Sequence, residues 1–294
     1  MARHASGSNG SDSRRVVAVV IALVLLLAVP LRSDCQKPNA PDTVAVTSGT
    51  LNLRALVWLP KASGPAPAVM YSHGSYAIRE SPFMLEATRL GPVFAEHGYI
   101  FFMLFRRGVG LSAKEGELGG ELMSRALAAG GQAARNRAHQ QAMAAELGDA
   151  LAGLALLRSL PTVDAKRIAI AGHSFGGSLT LLLAARDTTF RAVIDVGGAA
   201  ASWGPSPELR AQLLDAVGRI TAPVLFLHTA NDYSTAPGKA LSAEMNRLHR
   251  PNELKIYPPF GKTTSDGHNF MFRGSSIWER DVFAFLDRYV RPIR

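Results

Sequence analysis

The chain has 294 residues, 47% hydrophobic and 19% charged, which supplies enough apolar mass for one sizeable core and excludes a disordered or low-complexity chain. Its net charge of +9 is scattered from Arg3 to Arg294 without a cationic run longer than two, which excludes the concentrated basic stripe of a nucleic-acid-binding face. The one cysteine, Cys35, excludes an internal disulfide framework and a cysteine zinc site, and its place near the N-terminus excludes a cysteine nucleophile in the folded region.

Residues 1–15 are polar and end in Arg14-Arg15, and residues 16–31 then carry no charge. Such a run is long for a signal-peptide core and short for a spanning helix. Because the arginines precede it, the N-terminus should stay cytoplasmic and the following chain should be exported, to a periplasmic or extracellular location. Residues 1–35 therefore read as a signal peptide or a membrane anchor. Cleavage near Ser33-Asp34-Cys35, retention as an anchor with membrane association through 16–31, and lipidation at Cys35 all stay open.

Residues 36–294 read as a single domain, entered through a short linker at 36–41. A strand is expected over 51–59, closed by Pro60 and followed by a Pro/Gly turn. A second apolar strand follows at 68–72, a helix at 83–97 and a near-continuous apolar strand at 99–105. A long helical pattern covers 121–160 and should break near Gly130-Gly131. Strands at 167–171, 192–196, 224–228 and 253–257 then alternate with helices at 179–186, 207–218, 238–249 and 276–290. Short apolar strands, each followed by a helix, imply an α/β fold with a mostly parallel central sheet covered by helices on both faces. Ligands of such sheets bind beyond the carboxyl ends of the strands, so functional residues should lie there.

At one such end the sequence reads "AGHSFGG", in which Gly172-His173-Ser174-Phe175-Gly176 fits the G-x-S-x-G elbow. The elbow is a tight turn between strand and helix, and its glycines remove side chains where backbones pass closely. The motif alone is weak, but the apolar strand before it and the helix after it supply the context it needs. A serine nucleophile needs a base, and the base needs an orienting carboxylate. Of the three later histidines, His228 sits at a strand end and His249 on a helix among charges, whereas His268 falls in the "SDGHNF" loop between the last strand and the last helix. His268 is therefore the candidate base. Asp232, in the loop after strand 224–228, is the candidate acid. Asp195 is its mid-strand competitor, and Asp266 should shape the loop around His268. The oxyanion hole should combine the backbone N–H of Phe175 with that of Ser75 in "YSHGSY", Tyr76 being the alternative to Ser75.

The runs "VDAKRIAIAGHSFGG", "YSHGSY", "FRRGVGLS", "LFLHTANDYST", "DGHNF" and "WERDVFAFLDRYV" resemble, in this order, serine hydrolases of the α/β-hydrolase superfamily, in its dienelactone-hydrolase and prolyl-oligopeptidase-like branch. The resemblance runs from about residue 43 to the C-terminus. It implies a carboxylesterase-like hydrolase acting on a small-molecule acyl substrate, with Ser174, Asp232 and His268 as the triad and Ser75 and Phe175 as oxyanion donors. Dienelactone hydrolases themselves use a cysteine nucleophile, where this chain has Ser174. A peptidase, an acyltransferase and a non-catalytic binding module on the same scaffold stay open as alternatives.

Other motifs fail. The run from Gly108 to Ala113 lacks the third glycine of a dinucleotide fingerprint and reads as a turn, and Gly261-Lys262-Thr263 lacks the first glycine of a P-loop. No histidine pair has zinc-protease spacing, so neither a metal nor a cofactor is implied. The arginine- and alanine-rich stretch 116–148 reads as a helix covering the sheet rather than as a lid.

Overall fold

The computed structural model describes residues 40–75 and 83–291. The N-terminal segment with its export and anchoring expectations, and Tyr76, lie outside them. Among the described residues no helix is long and apolar enough to cross a membrane.

The strands are β1 (Asp42–Ser48), β2 (Leu51–Trp58), β3 (Ala66–Ser72), β4 (Ile100–Phe105), β5 (Val163–His173), β6 (Ala192–Val196), β7 (Val224–Thr229) and β8 (Asn252–Tyr257). They form one eight-stranded sheet in the order β1-β2-β4-β3-β5-β6-β7-β8. β2 runs antiparallel to both β1 and β4, and all the other pairs are parallel. The continuous apolar runs follow from burial on both faces. In β4, Ile100, Phe102 and Leu104 face one core while Phe101, Met103 and Phe105 face the other, the period of two that a strand imposes.

The helices are α1 (Phe83–Glu96), α2 (Gly119–Ser159), α3 (Phe175–Ala184), α4 (Pro207–Arg219), α5 (Ala236–Arg247), α6 (Thr264–His268), α7 (Phe270–Arg273) and α8 (Ser275–Tyr289). α2, α3, α4 and α5 supply the core on one face, and α1, α7 and α8 that on the other. This is the α/β-hydrolase fold implied by the sequence. α2 breaks where the two glycines stand: Gly130 has φ −150° and Gly131 φ 65°, ψ −161°.

Several details differ from the sequence expectation. β1 was not anticipated, because as an edge strand it buries little beyond Val46 and Ser48. α3 begins at Phe175 rather than at 179, since the glycines that read as a turn lie in its first turn. The segment holding His268 is not a loop but the short helix α6. Thr263 caps it, accepting from the Asp266 N–H at 3.0 Å while the Asp266 carboxylate accepts from the Thr263 N–H at 3.0 Å. Asp266 thus shapes the segment, as expected. The 110–112 stretch forms a single 3-10 turn, and Ser112 Oγ ties it to the Phe105 carbonyl at 2.7 Å.

The register positions the site. After β3 the chain places β4 on one side and then crosses to place β5 on the other, so β3 and β5 flank the point where the crevice of such a sheet opens. Ser72 lies opposite Gly172, and Gly172 opposite Asp195. The segments after β3, β5, β7 and β8 therefore emerge along one edge, and they carry Ser75, Ser174, Asp232 and, on α6, His268.

Candidate active site

Ser174 stands between β5 and α3 with φ 56° and ψ −119°. A non-glycine residue rarely holds a positive φ, and the strain costs on the order of 1–3 kcal/mol. The surroundings enforce it. The Ser174 N–H bonds the Val196 carbonyl at 2.9 Å, and its own carbonyl accepts from the Ser178 N–H at 3.2 Å. A Cβ on Gly172 would strike the Gly176 carbonyl, and one on Gly176 would strike the carbonyl oxygens of Ser72 and His73. Gly176 is thus pressed against the end of β3 and Gly172 against Gly176, so neither position has room for a side chain.

Asp232 is buried in the loop after β7. Its Oδ1 accepts from His268 Nδ1 at 2.6 Å and from the Tyr233 N–H at 2.7 Å, and its Oδ2 accepts from His228 Nδ1 at 2.9 Å. Burial alone would raise its pKa, but the bonds from His228 and His268 outweigh burial and hold it at about 2. An ionised carboxylate only accepts, so both histidines carry a proton on Nδ1. In the neutral form of His268 the lone pair is then on Nε2, as a base requires.

His268 and Ser174 line one cavity of about 370 Å³, together with Gly74, Ser75 and Tyr233. His228 is fully buried, with its Nε2 turned towards Gly238 on α5. The competitor acid Asp195 sits apart, its carboxyl packed against Gly177 and Gly198. Burial lifts its pKa to about 6; the charge of His228 and the Gly198 N–H oppose the rise, and Asp232 adds to it.

Two further residues hold the parts together. His173 donates from Nε2 to the His268 carbonyl at 2.8 Å, and its ring lies 4.7 Å from that of His268. Burial, then the charge of His268, lower its pKa to about 3, so it is neutral. Asn231 donates from Nδ2 to the carbonyls of Phe260 and Thr263, both at 2.9 Å, and accepts from the Phe260 N–H at 2.9 Å. It thereby fastens the loop of Asp232 to the segment leading into α6. Neither role follows from sequence, because each joins backbone segments far apart in the chain; the only signal is a polar residue beside each candidate.

Behind Ser174 a smaller cavity of about 100 Å³ reaches under α2, lined by Ser75, Phe175, Met123, Arg135 and His139 among others. His139 packs edge-on against Phe175 at 5.3 Å, and burial followed by the charge of Arg135 lowers its pKa to about 4. α2 therefore covers the sheet, the reading preferred from the sequence, through Ala142, Met143 and Leu147, and it also walls the site, where the less favoured lid reading places it. Among the described residues no group of three or more His, Cys, Asp or Glu side chains is placed to hold a metal ion.

Residues 53–280 match the dienelactone hydrolase family. The chain belongs to the dienelactone hydrolase family. Over 226 residues it is 30% identical to the polyketide transferase grgF of a Penicillium species, an alignment spanning 73% of this chain and 67% of that protein. Its fold is similar to that of a dienelactone hydrolase from Anabaena variabilis, at a TM-score of 0.60 and 18% identity over 86% of this chain and 100% of the other. It is also similar to Est1E from Butyrivibrio proteoclasticus, at 0.56 and 17% over 82% and 97%. An acylaminoacyl peptidase from Pyrococcus horikoshii is similar at 0.63 and 18% over 88% of this chain, which spans only 43% of the peptidase. These likenesses concern the fold, which this member of the dienelactone hydrolase family shares with esterases and peptidases.

Proposed function

We propose that the protein is a serine hydrolase that cleaves a carboxylic ester or a similar acyl bond. The observation that carries this reading is Ser174: a non-glycine residue held at φ 56° at a strand end, lining one cavity with a histidine whose Nδ1 is bonded to an ionised carboxylate. In the proposed reaction Ser174 Oγ attacks the acyl carbon and passes its proton to His268 Nε2. The negative charge on the carbonyl oxygen is met by the N–H groups of Phe175 and Ser75. His268 returns the proton to the leaving oxygen as the bond to it breaks, leaving an acyl group on Ser174. Water then attacks, giving its proton to His268, and the acid departs as the proton returns to Ser174 Oγ.

Ser174→Ala should lower kcat for a short-chain ester by about 10⁴-fold or more and abolish labelling by a fluorophosphonate probe. A folded Ser174→Ala protein that hydrolyses the ester at the native rate would refute the reading.

One observation favours a second reading, transfer of the acyl group to an acceptor other than water: the 30% identical relative is named a polyketide transferase. Both readings share the acyl-enzyme. Product analysis with water, alcohol and amine acceptors in competition separates them, since a transferase would give ester or amide where a hydrolase gives acid. For location, we propose export directed by residues 16–31. A fusion of residues 1–60 to a reporter active only outside the cytoplasm should give signal, and its silence would overturn the proposal.

A further inference from the structure

The residue following β4 is Arg106, 2% exposed in the interior behind the loop that carries Ser75. Its Nε is bonded to the carboxylate of Glu146 on α2, so the buried charge is compensated. Its Nη2 donates to the His73 carbonyl at 2.8 Å and to the Gly74 carbonyl at 3.0 Å. Its guanidinium also lies over the ring of Phe175, 5.4 Å from the centroid. His73 adds a second pull. The Arg106 backbone N–H points at His73 Nε2 at 3.3 Å, so the ring proton is on Nδ1, which donates to the Gly74 carbonyl at 2.8 Å. The Gly74 oxygen is thus held by two donors on its buried side.

A peptide unit is planar, and in the trans form its N–H points opposite to its C=O. The Gly74 carbonyl and the Ser75 N–H belong to the same unit. Drawing the carbonyl inwards to Arg106 and His73 turns the N–H outwards, and Ser75 lines both cavities that contain Ser174. Donation to a carbonyl also polarises its peptide, which makes the N–H a stronger donor.

We propose that Arg106 is a positioning residue that aims the Ser75 N–H at the acyl oxygen, by fixing the Gly74–Ser75 peptide from behind while its guanidinium packs on Phe175. The proposal rests on the acyl-transfer reading above. It gives the buried Arg106–Glu146 pair a role beyond stability, which such pairs do not reliably provide. Lysine would keep the charge beside Glu146 but lacks the planar fork that reaches Glu146 and two carbonyls at once.

The test uses Arg106→Lys, and beside it the paired replacement Arg106→Met with Glu146→Leu, which leaves no buried charge uncompensated and carries the same reading should the single variant not fold. Folding is checked by thermal melting. Loss of one oxyanion donor costs about 10²–10³-fold in kcat, so the paired variant should lose about 10²-fold and Arg106→Lys about 10-fold, with KM changed by less than about threefold. Inhibition by a trifluoromethyl ketone, whose addition to Ser174 creates the same oxyanion, should weaken in step with kcat/KM. A merely structural role would instead lower the melting temperature without that split. A folded variant with native kcat and native trifluoromethyl ketone affinity would overturn the proposal. Wild-type protein that neither hydrolyses esters nor takes the fluorophosphonate label would instead overturn the acyl-transfer reading itself.

Discussion

Asp232 accepts hydrogen bonds from two histidines that their surroundings make unequal. His268 is on the cavity wall with Ser174, whereas His228 is sealed beneath α5. In the proposed reaction the first exchanges a proton, while the second holds the carboxylate still. Replacing each should therefore damage different properties. His228→Leu leaves Oδ2 of a buried carboxylate without its donor, and should cost about 1.5–3 kcal/mol of stability. His228→Asn, whose amide N–H can take the place of Nδ1–H, should recover most of that loss. His268→Asn should instead abolish turnover while changing stability by less than about 1 kcal/mol, because its amide N–H can still donate to Asp232 in place of Nδ1–H. Denaturant unfolding and ester hydrolysis on the three variants decide the matter. A His228→Leu protein as stable as the native one would show that the second histidine does not anchor Asp232.

At the level of elements, the site depends on how closely α3 approaches the end of β3. A methyl group on Gly176 would meet two backbone carbonyl oxygens, of Ser72 and His73, which cannot swing aside as a side chain can. Gly176→Ala should force α3 away from the loop that bears Ser75. The cost is that of overpacking a core, about 1–3 kcal/mol. The displaced N–H of Phe175 should also slow fluorophosphonate labelling, and labelling at the native rate would count against so tight an approach. The same elements show what a sequence can reveal. β3 to β7 were readable because burial on both faces writes an apolar run, and with them the strand ends that carry Ser174 and Asp232. β1 was not, since an exposed edge strand that buries only Val46 and Ser48 writes no apolar run. α6 was not, since five residues are too few to show a helical period. His268 is nonetheless legible, because among the histidines that follow the serine it alone lies between the last strand and the last helix, a place that does not require the segment to be a loop. Arg106, His173 and Asn231 act through backbone groups of distant loops, and residue type alone cannot announce such pairings. A charged residue closing an all-apolar strand, as Arg106 does, is the nearest thing to a signal.

Across the whole molecule, buried and paired carboxyls push stability in opposite directions with pH. Asp187, bonded to Arg158 strongly enough to outweigh its partial burial, and Asp232 are both held at about 2. Each contributes stability above the unfolded carboxyl value of about 3.9 and loses it as the pH falls through about 2. Asp195 does the reverse. Its folded value of about 6 exceeds the unfolded one, so the neutral carboxyl is favoured in the fold, and stability is lost as the pH rises from about 4 through about 6. A gap of about two units corresponds to no more than about 3 kcal/mol at neutral pH. The charge is confined between α3 and the turn after β6 by Gly177 and Gly198, which leave room for the carboxyl but add no polar side chain. Asparagine has nearly the same shape and never ionises. At pH 4 the native carboxyl is already protonated in the fold, and Asp195→Asn should change little. At pH 7 the same substitution should raise the unfolding free energy by about 1–3 kcal/mol relative to its effect at pH 4. Denaturant melts of both proteins at the two pH values measure the difference directly. An equal effect at both would mean that Asp195 titrates in the fold as it does in the unfolded chain.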